Sequence, residues 1–180
     1  MYGPPVDLSF KGLVSATDAL VVNPRTGCRP LYKNLEGKYR SRSLRLNNNS
    51  LADLASLVYI CDHFLAQPWK IGWLDLSFNK IIHIEQVVCE LRELRVLYLH
   101  GNCIWELSEV DKLQELQHLH SITLHGNAIV KDKIYRKHVL FTLPHLKMMD
   151  FSAVTREERV LANVCHPRSN RGKVTKESLP

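Results

Sequence analysis

Four stretches of this chain, SRSLRLNNNSL (41–51), IGWLDLSFNKI (71–81), LRVLYLHGNCI (94–104) and LHSITLHGNAI (119–129), follow one template, L-x-x-L-x-L-x-x-N-x-L. Ser41 is the one weak apolar slot. In L-x-L the two apolar residues point to one side of a short strand and the residue between them to the other. The chain must then turn, and backbone groups buried in the turn need partners. An asparagine side chain offers two amide donors and an acceptor oxygen. Asn49, Asn79, Asn102 and Asn127 therefore read as a ladder, each serving its own turn and the neighbouring coil.

Four such phrases make up a leucine-rich-repeat signature. They predict an α/β solenoid with a short, curved parallel sheet. The asparagines stand 30, 23 and 25 residues apart. Repeats this short hold only short helical or 3₁₀ pieces on the convex side. Ile81, Ile84, Val87, Val88 and Leu91 serve one coil there, and Ile104, Leu107, Val110, Leu113 and Leu116 the next. The longer first gap predicts an amphipathic helix over 51–65, with Leu54, Leu57, Val58, Cys61, Phe64 and Leu65 inward and Pro68 as its stop.

The ladder ends at 146–154, LKMMDFSAV, where Leu146, Met149 and Phe151 occupy the apolar slots and Val154 replaces asparagine. Residues 155–164 predict a capping helix with Thr155 as N-cap and Glu157 and Glu158 in its first turn. A solenoid needs such a cap because its open end exposes core. Three regions follow: an N-terminal arm and cap (1–40), the solenoid with its C-terminal cap (41–162) and a basic tail (163–180). Within the arm no repeat is evident. Residues 23–40 are expected to cap the first repeat and 1–20 to extend outward, ordering on a partner.

Charge is uneven. The net +6 divides into +5 over 1–45, −2 over 46–162 and +3 over 163–180. Lys38, Arg40, Arg42 and Arg45 cluster before the first strand, and Arg168, Arg171, Lys173 and Lys176 lie in the tail. Both groups suit an acidic neighbour. The five cysteines form no C-x-x-C and read as reduced thiols. No apolar run approaches the ~20 residues of a membrane helix, and MYGPPVDLSF lacks signal-peptide features. A cytoplasmic address is the expectation.

With the strands side by side, the outward slots form three rows: Ser43, Trp73, Val96, Ser121, Met148; Arg45, Asp75, Tyr98, Thr123, Asp150; and Asn47, Ser77, His100, His125, Ser152. Trp73, Asp75, Val96, Tyr98, His100, Thr123, His125 and Met148 are the candidate partner contacts, because aromatic anchors ringed by polar groups are what interfaces favour. His100 and His125 occupy equivalent slots, but their row offers no carboxylate or thiol, so partner contact is preferred to zinc. Asp75 and Asp150 stand three strands apart, too far to act as a pair. No phosphate-binding loop or nucleophile elbow occurs. No catalytic residue, metal or cofactor is expected.

The phrase from Tyr135 to Arg159, Y-R-x-x-V…L-P-x-L…D-x-x-x-V-T-x-x-E-R, resembles the C-terminal cap of phosphatase-regulator-type repeat proteins and of the spliceosomal U2 A-prime protein. The segments NPRTGCRPL (23–31), LNNNSL (46–51), WLDLSFN (73–79), VLYLHGN (96–102), SITLHGN (121–127) and DFSAVTREER (150–159) are similar to the leucine-rich-repeat-containing protein 51 family. That resemblance implies a small, non-enzymatic cytoplasmic protein of the ciliary or flagellar axoneme, with axonemal proteins as partners, and the basic ends of the chain suit the acidic surface and tails of tubulin. A phosphatase-regulator-like adaptor and a ribonucleoprotein component are the alternatives. The net charge permits nucleic acid, but the concave rows hold no basic stripe.

Overall fold

The computed structural model describes residues 3–55 and 57–165. One seven-stranded sheet runs through the molecule in chain order: β1 (Val6–Asp7), β2 (Ser43–Arg45), β3 (Trp73–Asp75), β4 (Val96–Tyr98), β5 (Ser121–Thr123), β6 (Met148–Met149) and β7 (Ser152–Ala153). The first six strands are parallel and β7 is antiparallel to β6. The register aligns Leu44, Leu74, Leu97, Ile122 and Met149 in one fully buried row. Behind it pack α2 (Leu57–Phe64), α3 (Gln86–Cys89), the 3₁₀ segment Leu107–Glu115 and α4 (Tyr135–Thr142).

The asparagine side chains join successive coils. Asn79 Nδ2 donates to the carbonyls of Leu46 and Leu76, each at 3.0 Å, and its Oδ1 accepts the Leu51 N–H at 3.1 Å. Asn102 does the same with Leu76, Leu99 and Ile81, and Asn127 with Leu99, Leu124 and Ile104. The residue before each asparagine turns the chain with a positive φ: 56° at Asn48, 52° at Phe78, 68° at Gly101 and 74° at Gly126. Glycine suits the last two because the coils close up there. A Cβ on Gly101 would lie 2.6 Å from Phe78 Cδ1.

The N-terminal arm differs from the expectation. Residues 3–20 are the first coil of the solenoid, not an extension. β1 pairs with β2, and Val6, Leu8, Leu13 and Ala19 are buried. Asn49 closes this coil too, donating to Leu8 O and accepting from the N–H groups of Lys11 and Leu13. Helix α1 (Ala16–Leu20), opened by a Ser15–Asp18 capping box, packs on α2. The cap expected over 23–40 is instead a largely exposed return segment, held by Arg25 N to Asp7 O at 2.7 Å and by a bridge from Tyr39 to Leu65.

Two further expectations are corrected. The helix expected over 51–65 covers only Leu57–Phe64, with Ile60 inward and Val58 half-buried. The N–H groups of Leu51 and Leu54 are taken by Asn79 and by the Glu85 carboxylate, so the chain stays extended there. The fifth phrase does not complete a strand. Asp150 and Phe151 adopt φ of 50° and 61°, turn the chain into the β6–β7 hairpin and throw Phe151 out of the core. Helix α5 (Arg156–Cys165) closes this end. Thr155 and Glu158 cap it reciprocally and Arg136 pairs with Glu158 at 2.6 Å.

Candidate partner-binding face

Each parallel strand sends two side chains toward the concave surface, and the short β-pairing distance brings those of neighbouring strands into contact. Trp73 meets Tyr98 edge-on at 5.6 Å. His100 and His125 stack at 4.6 Å with planes 10° apart. The ring expelled from the core completes the group. Phe151 lies 5.5 Å from Tyr98, 5.6 Å from His100 and 5.5 Å from His125. It is 57 % exposed, and Met148 beside it 42 %. The result is one continuous patch of rings, partly open to solvent, over β3 to β6.

Two candidate contacts are not available on this face. Thr123 has no exposed surface: Tyr98, His100 and His125 surround its slot, Phe151 leans across, and its hydroxyl bonds His100 Nδ1 at 2.8 Å. Asp75 is 7 % exposed, and its Oδ1 is occupied by the N–H and hydroxyl of Ser77. Trp73, Val96, Tyr98, His100 and His125 are half-buried and remain accessible, as does Met148.

Electrostatics follow from this packing. Burial, with the neighbouring His125 second, holds His100 below its ordinary pKa, which favours the neutral ring. Burial opposes ionising Asp150, but the N–H groups of Leu124 and His125 and the Tyr135 hydroxyl outweigh it, and its carboxyl sits below the usual range. That carboxylate takes the place of the strand carbonyl that would receive Leu124 N–H, so it ends the pairing of β5 with β6. Burial, then the Asp150 bond, pushes the Tyr135 phenol up. Among the described residues no group of three or more His, Cys, Asp or Glu could hold a metal.

The basic residues at the entrance to β2 and within it do not form one free patch. Arg42 donates to Lys70 O at 2.6 Å and pairs with Glu93 at 3.5 Å. Arg45 lies between Asp7 at 3.5 Å and Asp75 at 4.0 Å, with its guanidinium 5.5 Å from the Trp73 ring centre. Lys38 is half-buried and Arg40 exposed. With Gly3, Pro4, Pro5, Arg29, Ser43 and Trp73, Arg45 lines an open pocket of ≈ 400 Å³ at the N-terminal end of the face. Arg168, Arg171, Lys173 and Lys176 lie outside the described residues.

Sequence reasoning missed Phe151, assigned to the core, and the first coil. A signal for the coil existed: VDLSFKGL (6–13) aligns residue for residue with LDLSFNKI (74–81), with Lys11 in the asparagine slot. It also missed Glu109, buried on the convex side, whose carboxylate accepts from Ile84 N at 2.6 Å and Lys112 Nζ at 2.7 Å.

Residues 46–179 match the family described as leucine-rich repeat. Leucine-rich repeat-containing protein 51 of Bos taurus is 46% identical over 161 residues, covering 89% of this chain and 84% of the relative. A probable U2 small nuclear ribonucleoprotein A′ of Caenorhabditis elegans is 32% identical over 94 residues, 52% of this chain and 37% of that one. Among solved structures, a chain of the Drosophila melanogaster SNF/U2A′ complex superposes with a TM-score of 0.59 at 21% identity, covering 76% of this chain and 86% of that one, a likeness of fold. Members of this family serve in general as protein-interaction scaffolds. The chain belongs to the leucine-rich-repeat family, in the group of leucine-rich repeat-containing protein 51.

Proposed function

We propose that this protein is a non-enzymatic scaffold that binds a protein partner on its concave face and works in the cytoplasm as a structural component of the ciliary or flagellar axoneme. The observation that carries the scaffold reading is the patch of Trp73, Tyr98, His100, His125 and Phe151, held by contact with one another yet partly open. Such a pre-arranged aromatic surface loses little conformational entropy on binding. The axonemal address is supported by the family resemblance and by the basic character of both ends of the chain, which suits acidic neighbours such as tubulin.

Two measurements test this. Affinity capture from ciliated cells, with wild type and with Tyr98→Ala, reads the concave face: partners retained equally by both overturn it. Tagged protein followed through detergent extraction reads the address: loss from the extracted axoneme overturns it. A second reading, a ribonucleoprotein component, is favoured by the likeness to the U2 A′ relative over 94 residues. Salt-sensitive RNA binding by the intact chain would support that reading instead.

A further inference from the structure

The residues just before each strand form a row that no single stretch of sequence displays. Backbone bonds link it in order: Gly72 and Trp73 donate to Arg42 O, Arg95 and Val96 to Gly72 O, His120 and Ser121 to Arg95 O, and Lys147 and Met148 to His120 O. Positions 42, 72, 95, 120 and 147 are therefore neighbours, each ~4.8 Å from the next. They are Arg, Gly, Arg, His and Lys. Two residues upstream a second row reads Arg40, Lys70, Glu93, His118 and His145. Between the rows runs the inward slot of Ser41, Ile71, Leu94, Leu119 and Leu146, all buried. The leading edge of the sheet is thus a ridge rich in cations and histidines across all five repeat strands, with Gly72 and Glu93 the exceptions.

Little on the molecule neutralises it. Glu93 pairs with Arg42, and Glu115 with the nearby Arg92. Arg40, Lys70, Arg95 and Lys147 make no ion pair among the described residues, and Arg95 Nε is enclosed without a hydrogen-bond partner. The crowding is felt by His120. Burial first, then Lys147, Arg95 and His118, hold its pKa below the ordinary value. Beside the ridge, one residue further along each strand, lies the row of Trp73, Val96 and Met148.

We propose that this leading edge docks an acidic, amphipathic, extended polypeptide segment lying across the strands, its carboxylates on Arg95, Lys147 and Lys70 and its apolar side chains on Trp73, Val96 and Met148. The charge pattern selects the occupant. An extended segment sends alternate side chains to one side ~6.6 Å apart, within reach of long cations set ~5–10 Å apart. Six or so residues span the ridge's ~19 Å. A nucleic acid strand fits less well: Trp73, Tyr98 and Phe151 meet edge-on, His100 and His125 stack on each other, and Glu93 interrupts the outer row. The inference rests on the scaffold reading and adds the partner's chemistry and docking edge.

The test uses the full chain and a fluorescein-labelled peptide of about 12 residues alternating glutamate with leucine and serine. The counterpart with lysine for glutamate and a single-stranded oligouridylate serve as comparisons. Wild type binds the acidic peptide alone, with affinity falling as salt rises. Arg95→Glu/Lys147→Glu weakens it about tenfold or more, and the milder Arg95→Gln/Lys147→Gln moves the same way. Lys80→Glu/Lys131→Glu, which changes net charge equally on the opposite edge, leaves it within about twofold. Equal losses in both charge-reversed variants overturn the proposal, as does preference for the oligouridylate. A wild type that ignores the acidic peptide while still capturing partners through Tyr98 overturns this proposal alone. Loss of Tyr98-dependent capture as well overturns the scaffold reading on which it rests.

Discussion

The Phe151 ring stands 5.5 Å from the ring of Tyr98, inclined at 66°, although Tyr98 lies on β4 and Phe151 follows β6. The side chain that periodicity assigns to the core reaches back over β5 to roof the concave face. Tyr98 thereby touches Trp73, His100 and Phe151 and is the centre of the exposed ring cluster.

Tyr98→Ala is expected to weaken the concave-face partner by ~2 kcal/mol, about 30-fold, as loss of a central aromatic anchor does. Titration of the captured partner against wild type and variant measures it. An affinity within about twofold, with the fold intact by circular dichroism, would remove Tyr98 from the interface.

Asn102→Ala leaves the buried N–H of Ile81 unpaired and removes one of the two side-chain bonds at each of the Leu76 and Leu99 carbonyls, which keep Asn79 and Asn127. One unpaired buried N–H costs ~1–3 kcal/mol and the two weakened carbonyls add to it, so a loss of about 2–3 kcal/mol is expected in urea unfolding. Asn49→Ala should cost clearly less, because Asn49 is half-buried and water can replace it. Equal losses would contradict a ladder graded by burial.

Gly101→Ala sets a Cβ 2.6 Å from the Phe78 ring at φ +68°, so it should destabilise through both clash and backbone strain. In the Phe78→Ala background only the backbone part remains, ~1 kcal/mol. The two substitutions must therefore be strongly non-additive. Additive thermal shifts would show that the ring moves aside freely.

Val6→Asp puts a charge into a fully buried position of the first coil and should cost several kcal/mol, read as a lowered melting temperature. If residues 3–20 were only an extended arm, the substitution would be silent.

Acid should open the C-terminal cap first. Arg136, with the Thr155 N–H second, lowers the Glu158 carboxyl from 4.5 to about 2, and Asp150 is lowered as well. A depressed folded-state pKa contributes stability that is complete above the unfolded value and disappears as pH falls through the folded one. Protection of α4 and α5 should therefore drop between pH 4.5 and about 2, ahead of β2 to β4, in hydrogen exchange. Simultaneous loss in all elements would contradict it.

Much of the fold was legible in the chain. The alternation in 71–81 and its three counterparts states which side chains point inward, and the parallel sheet and its register follow. Thr155 and Glu158 likewise announce the last helix. The first coil was harder to see: Lys11 and Gly12 replace the asparagine and lysine of 79–80, and Asn49 closes the coil from the next repeat. The candidate face was legible as rows, but not as accessible surface. Asp75 and Thr123 have the right slots and are covered, Asp75 with its carboxylate bonded to Ser77 and Thr123 beneath the rings around it.

The sequence by itself determined the period, the strand register and the turn ladder, because each depends on residues a few positions apart and on a two-residue alternation. Only the tertiary structure decided that Phe151 leaves the core, that residues 3–20 are a coil, and that Arg42, Arg95, His120 and Lys147 form one edge. Those outcomes are contacts between residues some 20 to 50 positions apart, or a positive φ at Asp150 and Phe151 stabilised by Asp150's bonds to Leu124, His125 and Tyr135. Periodicity cannot report such contacts, since they exist only once the coils are stacked.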